Sequence, residues 1–276
     1  MLLRRITRNV KDQNWFAVVL DFLIVVLGIL IAFQITNWND RRAARAQLAE
    51  AETAIKSDLL LNYVWAKERI SLRDCRVQAL GELSQRLLEP GEAWTGMPLD
   101  KDESGAARAI EQVLRSPNRP WPDRVWEAEQ ARGVLNGMDP IRRSDLDFVF
   151  KQAGDIFEHQ TKITDLQARL KVLSNSIDLP RSDRLRYLDI VSELDEQGFW
   201  IELKASQLCA VIEIQELEFD EEELALLRER VGAVLDYELR RTQYGDCAKP
   251  VTITNLETGG ASSSGGSVSC DITGYN

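Results

Sequence analysis

The stretch FAVVLDFLIVVLGILIAFQIT, Phe16 to Thr36, constrains this chain most. As a helix, about 21 residues rise roughly 31 Å, which matches a hydrocarbon core of about 30 Å. Asp21 is its one charged residue. Fourteen Leu, Ile, Val and Phe fall between Phe16 and Phe33. At about -0.3 to -0.6 kcal/mol each they favour insertion by roughly 4 to 8 kcal/mol, against at most about 3.5 kcal/mol for the aspartate. The sum favours a membrane span. Trp15 and Trp38 bracket the segment, about 34 Å apart in helical rise, where interfacial aromatic belts are expected.

A buried core helix would need neither the paired tryptophans nor the basic residues ahead of them. A cleaved leader is the other alternative, and Ala44-Arg45-Ala46 has the form of a cleavage site. It lies past Asp40, Arg41 and Arg42, too far beyond the apolar run, so the segment is expected to be retained. Before the span, Leu2, Leu3, Ile6 and Val10 recur at helical spacing among Arg4, Arg5, Arg8 and Lys11. Residues 1–15 therefore read as a short basic amphipathic helix lying on an anionic leaflet, which favours a cytoplasmic N-terminus. The positive-inside count is close, four basic residues before the span against Arg41, Arg42 and Arg45 after it. The orientation expected is N-terminus cytoplasmic and C-terminal domain periplasmic, in a bacterial inner membrane.

Of 34 basic and 44 acidic residues only four and two precede Asp40, leaving 30 against 42 beyond it. A domain that acidic lacks the basic footprint with which nucleic-acid binding begins. Its pattern is helical. Leu48, Ile55, Leu59, Ala66, Ile70, Val77, Leu80 and Leu87 keep steps of three, four or seven until Glu89-Pro90-Gly91, and the span is read as running into this helix. A Pro, Gly and Trp-rich stretch follows, with short helices expected at 106–115 and 125–132, the second stopped by Gly133. Asp139-Pro140 caps a long helix whose apolar face runs through Leu146, Val149, Ala153, Ile156, Ile163, Leu166, Leu170, Leu173 and Ile177. Ser182 is the expected cap of the next, with Leu185, Leu188, Val191, Leu194, Trp200, Leu203, Leu208, Val211 and Ile214 on its face and a bend at Gly198. Asp220 and Glu223 offer a capping box for a helix over 224–241. The fold class is mainly α: one N-terminal transmembrane helix (16–38), an up-and-down helical bundle (39–243), and a flexible Gly/Ser-rich tail (244–276) in which VTITNL and SVSCDIT could form short strands.

Four cysteines, Cys75, Cys209, Cys247 and Cys270, show none of the close spacing of a zinc site, and His159, the sole histidine, cannot complete one. Spacing leaves two disulfides or four buried thiols open. In an oxidising compartment Cys247 is expected to pair with Cys270 across the Gly/Ser loop, leaving Cys75 with Cys209.

The segment Asp21 to Asn39, with its acidic residue, VVLGILIA and NWN, resembles the N-terminus of a family of uncharacterised bacterial single-pass membrane proteins defined as a domain of unknown function. Trp126-Glu127, Gly133-Val134-Leu135, Asp139 and Leu146 are similar to a second, looser pattern of that family. The resemblance spans roughly the first 155 residues and implies an anchor with a helical domain behind it, without an activity or catalytic residue.

Function is therefore weighed on residues. The leading reading is an anchored helical scaffold that binds a partner: another membrane or periplasmic protein, or a second copy. With about 15 residues ahead of the span, no output domain is expected on that side. The alternative is a subunit of a membrane machine that uses intramembrane Asp21, as a proton-channel partner or in a pilin-like subunit. A pilin-like start would need glycine where Trp15 stands and an acid one position earlier. A hydrated Asp21 near the interface is the plain alternative to both. An enzyme is not expected: Glu127, Glu129 and Asp220–Glu223 are explained by helix starts and solvated faces. No cofactor or metal is expected either.

Overall fold

The computed structural model describes residues 15–98, 111–215, 221–251 and 270. It is mainly α-helical. Helix α1 spans Trp15–Ser71 and α2 Arg73–Leu88; β1 (Ala93–Thr95) and α3 (Arg124–Ala131) follow. Then come α4 (Pro140–Leu170), β2 (Ser176–Asp178), α5 (Arg181–Ile214), α6 (Glu221–Leu235) and α7 (Tyr237–Tyr244). The chain divides into two compact units, residues 1–50 and 51–276.

In the first unit, the described hydrophobic side chains from Val18 to Trp38 that stand free of packing are 44–67% exposed. An 18-residue window there has a mean hydropathy of 2.8 and no buried residue, so α1 carries one segment long and apolar enough to cross a membrane.

The second unit is built on α4 and α5. Its side-chain pairs fix the helix directions: Asp145 meets Gln215, Asp155 meets Lys204 and His159 meets Gln197, so α4 and α5 are antiparallel. Tyr63 meets Glu213 and Arg76 meets Glu202, so α1 and α2 run against α5 as well. Glu52 pairs with Arg142 and Arg69 with Gln160, which makes α1 parallel to α4. Strict alternation would have made them antiparallel. The chain must therefore return from the end of α2 to the start of α4, and residues 111–122 run in that direction. Glu111 meets Lys171, Ser116 meets Arg69, Arg119 meets Glu68 and the Pro122 carbonyl accepts from Asn62, a descending strap laid along α1.

Tryptophans on the strap and at either side of it pack against the long helices and the turn after α4. Trp94 donates through Nε1 to the Leu173 carbonyl at 2.7 Å, Trp121 sits edge-on to Trp65, and Trp126 stacks on Phe150 at 5.2 Å. Its origin is the antiparallel pairing of β1 with β2, Trp94 opposite Ile177. Gly96 has φ +78° there, and a Cβ would lie 2.7 Å from the Ser174 carbonyl oxygen. Only glycine accepts both constraints.

Local signals explain most helix ends. Asp139 Oδ1 accepts from the Ile141 and Arg142 amides, and Pro140 occupies the first turn where no amide is needed. Gly133, φ +74°, follows α3. Four expectations differ. The apolar face expected to run on through Leu173 and Ile177 leaves the helix early: α4 ends at Leu170, Leu173 lies in a 3-10 turn, and Ile177 is taken into β2 by its pairing with β1. Pro180 rather than Ser182 precedes α5, without a side-chain cap, and α5 runs unbroken past Gly198. The helix expected over 224–241 is interrupted at Asp236, whose carboxylate caps α7 through the Leu239 amide. Of the helix expected over 106–115, residues 106–110 lie outside the described residues and 111–115 hold a single 3-10 turn at 112–114; Asp220 of the capping box and the expected tail strands, apart from Val251 and Cys270, neither of which is in a strand, also lie outside.

Candidate functional site

Two full turns of α1, Asn62 through Arg69, are buried on every side, including Lys67, Glu68 and Arg69. A helix surface facing solvent could carry these residues alone; buried, each needs a partner. Arg119 grips Glu68 with two bonds, Nε to Oε2 at 2.8 Å and Nη2 to Oε1 at 2.7 Å. Lys67 pairs with Glu213 at 3.1 Å, which also accepts from Tyr63 at 2.8 Å. Arg69 donates to Ser116 Oγ, the Pro117 carbonyl and Gln160 Oε1. Burial pushes the Arg69 guanidinium down to about 10, opposed by Glu68, so it stays cationic at neutral pH. Its Nε has no acceptor.

Nearby, Arg76 forks onto Glu202, Nε to Oε1 at 2.6 Å and Nη2 to Oε2 at 3.0 Å, and reaches Asp195. Burial opposes the Arg76 charge, but Glu202 and Asp195 outweigh it and hold the pKa above the ordinary arginine value. The fork crosses α5 at Gly198, where a Cβ would sit 2.5 Å from Arg76 Cδ. That glycine makes room for a side chain; it does not bend the helix.

The C-terminal segment closes this region. Arg240, 1% exposed, donates through Nη1 to Ser71 Oγ at 2.7 Å and to the Lys249 carbonyl at 2.8 Å. The Lys249 amide donates to the Ser71 carbonyl, and its ammonium pairs with Asp74 at 2.7 Å. Arg115 donates to the Gln243 carbonyl at 2.8 Å. Burial holds the Arg240 guanidinium below its ordinary value, and its Nε and Nη2 have no acceptor. Burial, reinforced by Glu68, raises the Tyr244 phenol.

The disulfides also fix the tail, in a pairing other than the one expected. Cys75 is joined to Cys247 and Cys209 to Cys270, with Cα separations of 5.0 and 5.6 Å. Cys247 and Cys270 do not close the Gly/Ser loop on itself. Each ties the C-terminal segment to a helix of the second unit, Cys247 to α2 and Cys270 to α5, where the Cys270 carbonyl also accepts from Ser206. Sequence spacing favours a short loop; the fold brings each tail cysteine to a helix instead. Glu213 lies beside Cys209 and Cys270, but those sulfurs are bonded to each other and Glu213 is held by Tyr63 and Lys67.

Between α1, α2, the strap, α4, α5 and α7 lies a small cavity of about 60 Å³ that opens to solvent. Arg69, Arg76, Arg115, Gln167, Glu202 and Tyr244 supply its polar lining, and Leu72, Leu80, Ile163 and Ile201 are among its apolar walls. Sequence reasoning singled out none of these polar residues, because no spacing relates Arg69 to Arg115 or Tyr244.

The residues that reasoning did single out are dispersed. Asp21 is exposed on α1 among apolar side chains. Trp38 is 63% exposed, with the Arg42 guanidinium 5.8 Å over its ring. Trp15 begins α1, and Arg4, Arg5, Arg8 and Lys11 lie outside the described residues. His159, half-buried, bonds through Nδ1 to Gln197 Oε1 at 2.7 Å. Glu129 pairs with Arg132, and Glu127 stands in the first turn of α3. Comparison of the chain with protein-family models, with curated proteins and with solved structures finds no match.

Proposed function

We propose that the chain is a single-pass membrane protein whose second unit is a helical interaction scaffold on the oxidising side of a bacterial inner membrane. One observation carries the anchor: almost every described apolar side chain from Val18 to Ile35 is exposed, in a chain that elsewhere buries most of its described leucines and isoleucines. In water that arrangement forgoes about 1.5–3 kcal/mol per large side chain; in lipid it forgoes nothing. The likeness of Asp21–Asn39 to single-pass membrane proteins agrees with it. Two disulfides support an oxidising location for the second unit, since such crosslinks persist there and are rare where glutathione keeps thiols reduced.

The scaffold role rests on how the second unit spends its charge. Its buried carboxylates among the described residues, Glu68, Glu111 and Glu202, are each tied to a cation of another segment, which leaves the acidic outer surface for a partner. Crosslinking in intact cells tests this. A stable complex, with another membrane or periplasmic protein or with a second copy, is expected; recovery solely as an uncrosslinked monomer, and as a monomer in detergent sedimentation, contradicts it.

A second reading, a machine subunit acting through Asp21, rests on one observation: a lone carboxylate stands exposed within the apolar segment. Asp21→Asn should then release the partner or abolish activity while the protein still inserts, with Asp21→Glu retaining both. Unchanged partners and phenotype in Asp21→Asn reject this reading.

A further inference from the structure

The two disulfides cross. In chain order they join the first cysteine to the third, Cys75 to Cys247, and the second to the fourth, Cys209 to Cys270. These bonds span 172 and 61 positions, whereas Cys247 and Cys270 are only 23 positions apart across the Gly/Ser-rich segment. Loop closure in an unfolded chain falls roughly as the −3/2 power of loop length. Cys247 therefore meets Cys270 about 4 times as often as Cys209 meets Cys270, and about 20 times as often as Cys75 meets Cys247. An oxidant acting on that chain makes Cys247–Cys270 first and leaves Cys75 to Cys209. Neither bond belongs to the folded molecule. The fold also limits where the error can be corrected: Cys209 is fully enclosed, Cys270 and Cys75 are 3% and 7% exposed, and Cys247 is half-buried. Once the unit has closed, Cys247 is the sulfur a second protein reaches best.

We propose that the chain is a client of a thiol–disulfide isomerase, whose active-site thiolate engages it at Cys247. The client role rests on the oxidising location proposed above, where such bonds form and persist. The exchange balances without an oxidant. The isomerase thiolate attacks Cys247 Sγ in the Cys247–Cys270 bond, forming a mixed disulfide and expelling Cys270 as a thiolate. Cys270 attacks Cys209 Sγ, which makes the enclosed bond and frees the Cys75 thiolate. Cys75 then attacks Cys247 Sγ, completing the second bond and returning the isomerase thiolate. All four sulfurs are paired at the start and at the end, and no electron is gained or lost. Contacts beside each bond bias the exchange toward the folded pairing. The Lys249 amide on the Ser71 carbonyl and the Lys249 ammonium on Asp74 draw Cys247 to Cys75, and Ser206 donates to the Cys270 carbonyl near Cys209. The order suits the fold, because the enclosed bond closes first and the partner leaves from the sulfur that stays reachable.

Refolding of the reduced, denatured full chain in detergent tests this with purified thiol catalysts, so the outcome is independent of where the unit resides in the cell. A disulfide-donating oxidase alone is expected to yield mostly Cys247–Cys270 and Cys75–Cys209, read by non-reducing peptide mapping. Adding a dithiol isomerase should raise the two folded-state pairs about fivefold or more. The double variant Cys75→Ser with Cys247→Ser has one possible bond left and should form it equally well with the oxidase alone. An isomerase whose second active-site cysteine is replaced by alanine should be captured chiefly on Cys247. Folded-state pairs reached in equal yield without the isomerase overturn the proposal. So does an equal isomerase requirement in the double variant, or capture chiefly on Cys209. Free thiols in protein taken directly from native membranes would instead reject the location, and with it the client role in the cell.

Discussion

Helix α1 contains two stretches in which burial runs opposite to polarity. From Val18 to Phe33 its side chains are mostly leucine, isoleucine, valine and phenylalanine, with Asp21 the one charge, and nearly all are exposed; from Asn62 to Arg69 they include Lys, Glu and Arg, and all are buried. Neither stretch would be stable in the environment that suits the other. On the proposed reading the first stands in lipid, and the second needs protein partners placed to within a hydrogen bond. The contrast teaches that polarity along a helix identifies the medium it was selected for only when the surrounding elements are known. Composition reveals the first stretch, because a bilayer asks only for length and hydropathy. It conceals the second.

The contrast can be broken most forcefully at its apolar end. Replacing Ile24 and Leu27 with arginine adds about 5–7 kcal/mol to insertion, enough to offset most or all of the apolar gain. The double variant should leave the carbonate-washed membrane fraction, and the second unit, if released, should keep its helical circular dichroism. Retention in the membrane would place the anchor elsewhere.

At the polar end, Glu68→Ala leaves Arg119, Arg69 and Arg240 without their common counter-charge. Removing one partner of a buried pair costs about 3–5 kcal/mol, so denaturant unfolding should shift by that much. A change below 1 kcal/mol would mean the stretch is hydrated. Next come the crosslinks. Chain entropy assigns about 5 kcal/mol to Cys75–Cys247, with 172 residues between its ends, and about 4 kcal/mol to Cys209–Cys270, with 61, as upper values. Double serine variants of each pair, measured by thermal unfolding, should rank in that order, and non-reducing peptide mapping should recover those two pairs. A Cys247–Cys270 peptide would contradict the structure.

Smaller effects sharpen the picture. Gly198→Ala should cost about 1–3 kcal/mol by pushing Arg76 off Glu202. Burial pushes the Glu111 carboxyl up, but the Lys171 ammonium at 2.8 Å outweighs it and holds the group below the ordinary carboxylate range. Its folded pKa therefore lies below its unfolded one. The stability it contributes is present above the unfolded value and is lost as the pH falls through the folded one. Glu111→Gln should accordingly flatten the acid limb of a stability profile below about pH 4.5.

How much of this was legible in the sequence follows from range. Helix α4 was legible as far as Leu170: Leu146, Val149, Ala153, Ile156, Ile163, Leu166 and Leu170 are all buried, as one stripe at helical period demands, while Leu173 and Ile177, read as its continuation, lie in a 3-10 turn and in β2. Helix α5 was legible as a helix and less so as a face. Trp200 and Ile214 are exposed at 38% and 74%, while Ile190, Ile201, Ala205 and Cys209 fill the core, because three surrounding helices bury more than one stripe. The break between α1 and α2 at Leu72 has no Pro or Gly to signal it; Ser71 there bonds back to the Glu68 carbonyl and receives Arg240 and Lys249. The ion pairs, the β1–β2 pairing, the cavity and the disulfide partners were illegible for a common reason. Each joins residues tens to more than a hundred positions apart, and local pattern carries no information at that distance.

The central claim is that one segment crosses the bilayer and leaves the second unit on the oxidising side. Alkylation of intact spheroplasts with a membrane-impermeant maleimide, after mild reduction by an impermeant phosphine, reads it directly. Labelling of Cys247, the least buried of the four cysteines, only after reduction, in cells that remain sealed, is the expected result. A Cys247 thiol that labels without reduction, and only once the membrane is opened, would place the unit in the cytoplasm and contradict the account.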